Sequence, residues 1–378
     1  MGGIRYCEKE SRLRLTKQNH RRSLDGLRGI SILAVMGFHA GSRVIRGGHL
    51  GVDMFFVLSG FLITFLLLQE QQNRGSINLR NFYIRRALRL LPAMIFLLVL
   101  SGAYASLMAP SADAAAINKG ILYTILYSSN WYQAFNGMGE FGPLSHTWSL
   151  SIEEQFYIVW PLLVIVLLRL FGRSRHVITL LILSILLVAY NRARMWNGSM
   201  DISRAYFGLD TRADAILIGC LAAFLVFFNM LPLIAVRFSQ LLSITIILLM
   251  GAMGLLSSNH DPYLYFGGFT FFALLIGALI ILLLESPPEP LNRMLEFRPL
   301  VWIGRISYGL YLWHIPTFYL CSTMFPRASL MRLGLQVFLT FVIAGFSYYV
   351  IELPFLKLKE GFKTATPANS PAASPATV

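Results

Sequence analysis

The 378-residue chain is 56% hydrophobic and only 13% charged, whereas soluble globular proteins are about a quarter charged. A water-soluble fold could not bury so much apolar surface, so the composition excludes a soluble protein and indicates one that uses the lipid bilayer as its solvent. The net charge of +14 does not indicate nucleic-acid binding, because the basic residues lie mostly between apolar runs, where membrane topology explains them.

Apolar runs predict an all-α fold, a polytopic membrane bundle of about ten transmembrane helices with both termini cytoplasmic. The runs are 28–45, 50–69, 90–109, 148–170, 176–190, 213–230, 239–257, 264–284, 301–322 and 333–352. A spanning helix needs roughly 20 residues, so the run 176–190 is the least secure of them.

The stretch 117–135 is an eleventh candidate, but it is richer in Tyr, Asn and Ser. With ten spans, the inner segments carry 21 basic residues and the outer segments 9, counting Arg192 and Arg212 in an outer loop. With 117–135 as a further span the numbers become 18 and 12. The positive-inside rule therefore favours ten spans, with 117–135 as an outer re-entrant or interfacial segment.

The chain divides into three segments. Residues 1–27 are polar and basic, lack a cleavable signal, and are predicted to be cytoplasmic. Residues 28–356 form the membrane domain. Residues 357–378 end in a Pro-, Ala-, Ser- and Thr-rich tail that is predicted to be cytoplasmic and disordered. The spacing of the three cysteines predicts neither a disulfide nor a metal site.

Ionisable side chains in the first two runs are the first candidate site residues. Arg28 and His39 are eleven residues apart, which places them on one helix face about 16 Å apart along the axis. His39 is either a hydrogen-bonded packing residue or a general base. Asp53 is either a cap at a helix start or a carboxylate that holds the imidazole of His39 and stabilises its charged form.

The fourth run carries a polar and aromatic stripe. Ser149, Glu153, Tyr157 and Trp160 follow the spacing of one helix face. Glu154 lies about 100° away, so the two carboxylates are not expected to face the same partner, and Glu153 is the one assigned to the interior. Carboxylates within a membrane helix are costly and favour a functional interpretation.

The ninth run places Ser307, Tyr311 and His314 on one face. Here a packing histidine and an acceptor-site residue are equally good interpretations of His314.

An arginine trio stands at the cytoplasmic mouth of the third run, at Arg85, Arg86 and Arg89. Topology or anionic lipid headgroups would explain it. Arginine rather than lysine also suits a bidentate grip on phosphates, such as those of a cytoplasmic donor with a nucleotide head.

Five motifs in this order resemble the acyltransferase-3 family, and the resemblance covers residues 22–356. They are Arg28 followed after ten residues by His39, GVD at 51–53 leading to FFVLSGFLI at 55–63, Arg85-Arg86 to Pro92, WSLSIE at 148–153 leading to Phe156-Tyr157, and SYGLYLWH at 307–314. Any one of these motifs alone would be a weak signal.

The resemblance implies a multi-pass membrane enzyme that O-acylates cell-surface carbohydrates or secondary metabolites, commonly from acetyl-CoA. It maps His39 to the family's essential histidine, Arg28 to its paired arginine, and Arg85, Arg86 and Arg89 to its basic donor-site motif. Some members also carry a fused extracytoplasmic hydrolase-like domain. We expect this chain to be a stand-alone membrane domain.

We therefore predict an O-acyltransferase of the bacterial cytoplasmic membrane, with acyl-CoA as donor substrate, a carbohydrate or glycoside acceptor, and no bound cofactor or metal. His39 acts as general base or forms a transient acyl-histidine, and Asp53 or Glu153 orients it. The acceptor-site candidates are Ser149, Tyr157, Tyr311 and His314. The alternatives are a transporter or flippase for a glycolipid or saccharide, whose buried charges line a path, and a membrane sensor or scaffold.

Overall fold

The computed structural model describes residues 22–41, 45–172, 175–196, 198, 202–231, 236–285, 288–325, 327 and 329–362. All secondary structure in these ranges is helical, which confirms the all-α prediction. Most of the predicted N-terminal segment, residues 1–21, and the tail from residue 363 onward lie outside the described residues.

Sixteen α-helices follow one another along the described ranges. They are α1 (22–39), α2 (Gly51–Arg74), α3 (Leu79–Leu107), α4 (Ser111–Ile125), α5 (Ser129–Asn136), α6 (Trp148–Phe171), α7 (Arg175–Met195), α8 (Ser203–Phe207), α9 (Leu209–Phe227), α10 (Val236–Leu256), α11 (Phe269–Glu285), α12 (Glu289–Leu295), α13 (Arg298–Arg305), α14 (Ser307–Met324), α15 (Leu330–Phe346) and α16 (Leu353–Leu358). Short 3₁₀ or π turns occupy Gly48–Leu50, Gly142–Thr147, Leu264–Gly268, Ser347–Glu352 and Lys359–Phe362.

Local sequence sets the turn between α2 and α3. Gly75 ends α2 with φ +73°, a left-handed conformation that glycine adopts without strain, and its N–H donates to the carbonyl of Gln71. Asn78 begins α3 by accepting a hydrogen bond from the backbone N–H of Asn81 at 2.9 Å. The two caps leave only a short connection, which brings the polar start of α3 next to the end of α2.

Seven helical segments of the described chain are long and apolar enough to cross a membrane. They are Gly48–Arg74, Leu79–Leu107, Gly142–Phe171, Arg175–Met195, Phe238–Leu256, Leu264–Glu285 and Leu330–Phe362. The run 176–190 lies within one of them. The other three predicted spans correspond to α1, α9 and α14, which carry polar and charged side chains. The protein is thus a multi-pass membrane protein, and the count of ten and the side of the termini stay predictions.

The stretch 117–135 folds as parts of two short helices, α4 and α5. α4 has 15 residues and α5 has 8, so at 1.5 Å per residue neither reaches across a hydrocarbon core of about 30 Å. Tyr127, in the turn between them, has φ +48°. The arrangement agrees with an interfacial or re-entrant segment rather than a span.

Helices α2 and α9 make an extensive, close contact, where two glycines remove the side chains at the crossing. A Cβ atom on Gly60 would stand 2.0 Å from the carbonyl oxygen of Ile216, and one on Gly219 would stand 2.0 Å from that of Val57. Small residues at a crossing let membrane helices approach closely. This approach brings the polar residues at the starts of α2 and α9 into direct contact.

Cysteine labelling tests the predicted topology. In a variant without native cysteines, Asn136→Cys should react with a membrane-impermeant thiol reagent in intact cells. Ser76→Cys, in the exposed turn before α3, should react only after permeabilisation. The basic segment 70–89 is the reason for the second expectation. Both variants should label fully in detergent. Labelling of Ser76→Cys in intact cells would show that the topology is the reverse of the predicted one.

Candidate active site

A pocket lined by both charged and apolar side chains opens where α1, α2, α3, α6 and α14 meet. It has an empty volume of about 740 Å³, part of it open to solvent. Ionisable groups inside a membrane bundle are costly, and they mark sites of binding or catalysis. Seven of the site residues predicted from the sequence line the pocket, namely Arg28, Arg86, Arg89, Ser149, Glu153, Tyr157 and Tyr311.

Three arginines concentrate positive charge in the pocket. Arg89 is repelled by the charges of both Arg28 and Arg86, and the Arg86 guanidinium lies 3.5 Å from the centre of the Tyr157 ring. The Nε atoms of Arg28 and Arg86 are buried without a hydrogen-bond partner among the described residues. Mutually repelling guanidinium groups with unused hydrogen-bond donors favour a ligand with several negative charges.

Arg85 lies outside this pocket, contrary to its predicted grouping with Arg86 and Arg89. Its guanidinium forms an ion pair with Glu70 at 3.1 Å and donates to the carbonyl of Phe362 at 2.9 Å. The reason is helical geometry, since Arg86 and Arg89 are three residues apart on one face of α3 and Arg85 is turned 100° from Arg86.

Glu153 points into the pocket as predicted. Its carboxylate accepts a hydrogen bond from Tyr157 at 2.5 Å and one from Ser59 at 3.1 Å. The expectation that Glu153 and Glu154 face different partners is wrong, because both line the pocket and both interact electrostatically with Arg86. The Cα–Cβ bonds of the two glutamates point about 100° apart, but glutamate and arginine side chains are long enough for both carboxylates to approach Arg86.

A pair of hydroxyl groups forms one wall of the pocket. Tyr311 donates to the backbone carbonyl of His146 at 3.0 Å, and Ser149 Oγ lies 2.6 Å from the Tyr311 hydroxyl. Ser149 Oγ also lies 3.5 Å from the same carbonyl, so the two hydroxyl groups and the carbonyl oxygen form one hydrogen-bonded group. Both candidates for the acceptor site are thus held in fixed positions on α6 and α14.

Three histidines gather behind this wall. The His314 ring lies 5.0 Å from that of His39, 5.3 Å from that of His146 and 5.3 Å from that of Tyr311, between ring centres. His314 is fully buried, whereas His39, at the end of α1, is exposed. Tyr311 lines the pocket and none of the three histidines does, so Tyr311 separates them from the arginines. No group of acidic, Cys or His side chains in the described ranges has the geometry of a metal site.

Asp53 does not contact His39, and the expectation that it holds this imidazole is not met. Its carboxylate instead accepts from the guanidinium of Arg212 at 2.8 and 2.9 Å, and both side chains are almost completely buried. Arg212 comes from α9, which the glycines at the crossing bring close to α2. A permanent cation at this distance is a stronger partner for a carboxylate than a neutral imidazole.

Sequence reasoning misplaced Arg192 and Arg212 in an outer loop. Both are fully buried, and Arg192 pairs with Asp214 at 2.8 Å. His146 was also missed as a neighbour of the predicted site. The sequence did contain a signal that charges are buried here, because Arg212 and Asp214, which have opposite charges, lie at the start of an apolar run.

The sequence profile described as the acyltransferase domain matches residues 21–352. A Listeria monocytogenes protein named peptidoglycan O-acetyltransferase OatA is 35% identical over 90% of this chain and 57% of its own length. A Bacillus subtilis protein provisionally named peptidoglycan O-acetyltransferase YrhL is 32% identical over 92% of this chain and 56% of its own. The chain therefore spans little more than half the length of these relatives. No solved structure matches it.

Breaking the buried ion pair should destabilise the bundle. Asp53→Ala leaves the Arg212 charge buried without its partner, and we expect a loss of about 3–5 kcal/mol. Thermal unfolding in detergent measures it. The double variant Asp53→Leu, Arg212→Met should recover most of the stability.

The exposed ion pair between Glu289 and Arg293 is the matched control. Glu289→Ala should change stability by about 1 kcal/mol or less. Equal stability of the Asp53→Ala and Glu289→Ala variants would contradict a structural role for the buried pair.

Proposed function

Since this chain belongs to the acyltransferase domain family, we propose that it is a membrane O-acyltransferase that uses a cytoplasmic acyl-CoA, with acetyl as the expected acyl group. The acceptor is a hydroxyl of a cell-surface carbohydrate. The observation that carries the proposal is that Tyr311 both lines an arginine pocket and packs against a histidine cluster. A donor with phosphates would bind in the first, and an acceptor hydroxyl would be activated at the second.

The arginine pocket suits the head of coenzyme A. Arg28, Arg86 and Arg89 provide planar guanidinium groups that bind phosphates in a bidentate manner. The same groups form no salt bridge of their own in the described part of the chain. Bound phosphates would relieve their mutual repulsion. The thioester arm would then extend from the arginines towards the Ser149–Tyr311 wall.

The transfer step needs a base beyond this wall. His39 takes the proton of the acceptor hydroxyl while the hydroxyl oxygen attacks the thioester carbonyl. The C–O bond forms, the C–S bond breaks, and the proton passes from His39 to the departing thiolate, so the products are the acyl ester and free coenzyme A. Ser149 and Tyr311 are placed to orient the thioester or the acceptor at the boundary between the two compartments.

The relatives' names favour the acceptor class. Two of them are named for O-acetylation of peptidoglycan, and we propose a peptidoglycan sugar hydroxyl as the acceptor of this chain and the bacterial cytoplasmic membrane as its location. A donor on the cytoplasmic side and a glycan on the outer side require an acyl path through the bilayer. The pocket and the histidine cluster lie on opposite sides of Tyr311, and this arrangement supports the proposal that the acyl group passes from one to the other there.

Donor binding should depend on the pocket arginines. Arg89→Ala removes charge-assisted hydrogen bonds, each worth about 1.5–3 kcal/mol, so acetyl-CoA should bind the purified protein about tenfold more weakly or worse. Arg89→Lys should recover only part of the affinity, because an ammonium group lacks the planar fork. Isothermal titration calorimetry measures the dissociation constants.

Arg80→Ala is the control for this series. Arg80 lies on the same helix and carries the same charge, but its side chain is exposed and does not line the pocket. The Arg80→Ala variant should bind acetyl-CoA with the same affinity as the unmodified protein. Equal affinities of the Arg89→Ala and Arg80→Ala variants for acetyl-CoA would mean that the pocket arginines serve only the membrane topology.

Transfer should depend on His39. His39→Ala removes the base and should lower kcat at least about 100-fold, while the dissociation constant for acetyl-CoA stays unchanged. Release of coenzyme A that depends on added peptidoglycan glycan fragments measures the rate. A transporter would release none. His260→Ala, at an exposed histidine far along the chain, is the control, and normal turnover by well-folded His39→Ala would refute the assignment.

A further inference from the structure

The contact between His39 and His314 is directional. His39 Nδ1 lies 3.0 Å from the backbone carbonyl of Val35 and 3.3 Å from Nε2 of His314. His314 Nδ1 in turn lies 2.6 Å from the carbonyl of Tyr311. Each ring therefore has its Nδ1 next to a backbone oxygen.

These carbonyls fix the positions of the ring hydrogens. A carbonyl oxygen can only accept a hydrogen bond, so Nδ1 carries the hydrogen in both rings. In a neutral imidazole the other nitrogen is then the acceptor. His314 Nε2 consequently accepts from His39 Nδ1–H, which it shares with Val35, and the free lone pair of His39 is on Nε2.

We propose that His314 is the positioning residue for His39, in the role that a carboxylate has in most histidine bases. This assignment rests on the proposed function, because it presumes that His39 Nε2 takes the acceptor proton. Once Nε2 is protonated, the ring is positive, and its Nδ1–H bond to His314 becomes a charge-assisted hydrogen bond, which is roughly twice as strong as a neutral one. His314 thus orients the base and stabilises the charge that forms on it.

The two carboxylates predicted for this role are occupied elsewhere. Asp53 accepts from Arg212, and Glu153 accepts from Tyr157 and Ser59. His314 is fully buried, and its ring packs against the rings of Tyr311, His146 and Phe318. Packing on three sides and the bond to Tyr311 hold Nε2 in place, as a positioning group requires.

A matched pair of substitutions at one position tests the proposal. Gln in place of His314 offers a side-chain oxygen as acceptor near the position of Nε2, whereas Leu has similar bulk and offers none. His314→Leu should lower kcat about 10–100-fold with little change in the KM for acetyl-CoA, the usual effect of losing the partner that orients a functional histidine. His314→Gln should restore most of that loss. Similar kcat values for the two variants would overturn the proposal.

A second measurement does not depend on turnover. ¹⁵N NMR of histidine-labelled protein reports which ring nitrogen carries the hydrogen, and the His39 signals are identified by their loss in His39→Ala. We expect the hydrogen of neutral His39 on Nδ1 in the unmodified protein and in both His314 variants, because the carbonyl of Val35 accepts it in each. A hydrogen on Nε2 of His39 in the unmodified protein would overturn the proposal. Absence of acyl transfer by the unmodified protein would instead refute the proposed function and leave this NMR result standing.

Discussion

An unpaired charge costs far more inside a helix bundle than at its surface, and this cost separates two kinds of buried ion in the protein. Asp53 with Arg212 and Asp214 with Arg192 form buried salt bridges, and they join α2 to α9 and α9 to α7. Arg28, Arg86 and Arg89 form no salt bridge within the described ranges, although Arg86 interacts electrostatically with Glu153 and Glu154. Salt bridges hold helices together here, whereas Arg28, Arg86 and Arg89 line the pocket.

The same constraint explains why the helix crossing matters for the site. Gly60 and Gly219 allow α2 and α9 to touch backbone to backbone, and this contact lets Asp53 reach Arg212. With Asp53 committed to that pair, the other face of α2 presents Val52, Phe55 and Ser59 to the pocket. The packing of one face of α2 therefore determines which side chains the opposite face presents to the pocket.

The site has two compartments that differ in charge. Arginines and glutamates line the pocket, the rings of His39, His146 and His314 form the cluster behind it, and the hydroxyls of Ser149 and Tyr311 lie at the boundary. This division suits a reaction in which a charged donor must be held on one side and an uncharged hydroxyl activated on the other. In the proposed reaction, the exposed position of His39 at the end of α1 lets it meet an acceptor too large to enter the bundle.

The sequence by itself determined the class of fold and most of the site. Composition and apolar runs are sufficient for an all-helical membrane protein, because lipid leaves the backbone few other solutions. Helical spacing correctly placed Glu153 and Tyr157 on the pocket face, since it depends only on local geometry. Tertiary structure alone decided the partners: Arg212 for Asp53, Glu70 for Arg85, His314 for His39, and a shared Arg86 for the two adjacent glutamates. Partner choice depends on how closely helices distant in sequence approach and on how far long side chains reach, and neither is encoded in the periodicity of a single helix.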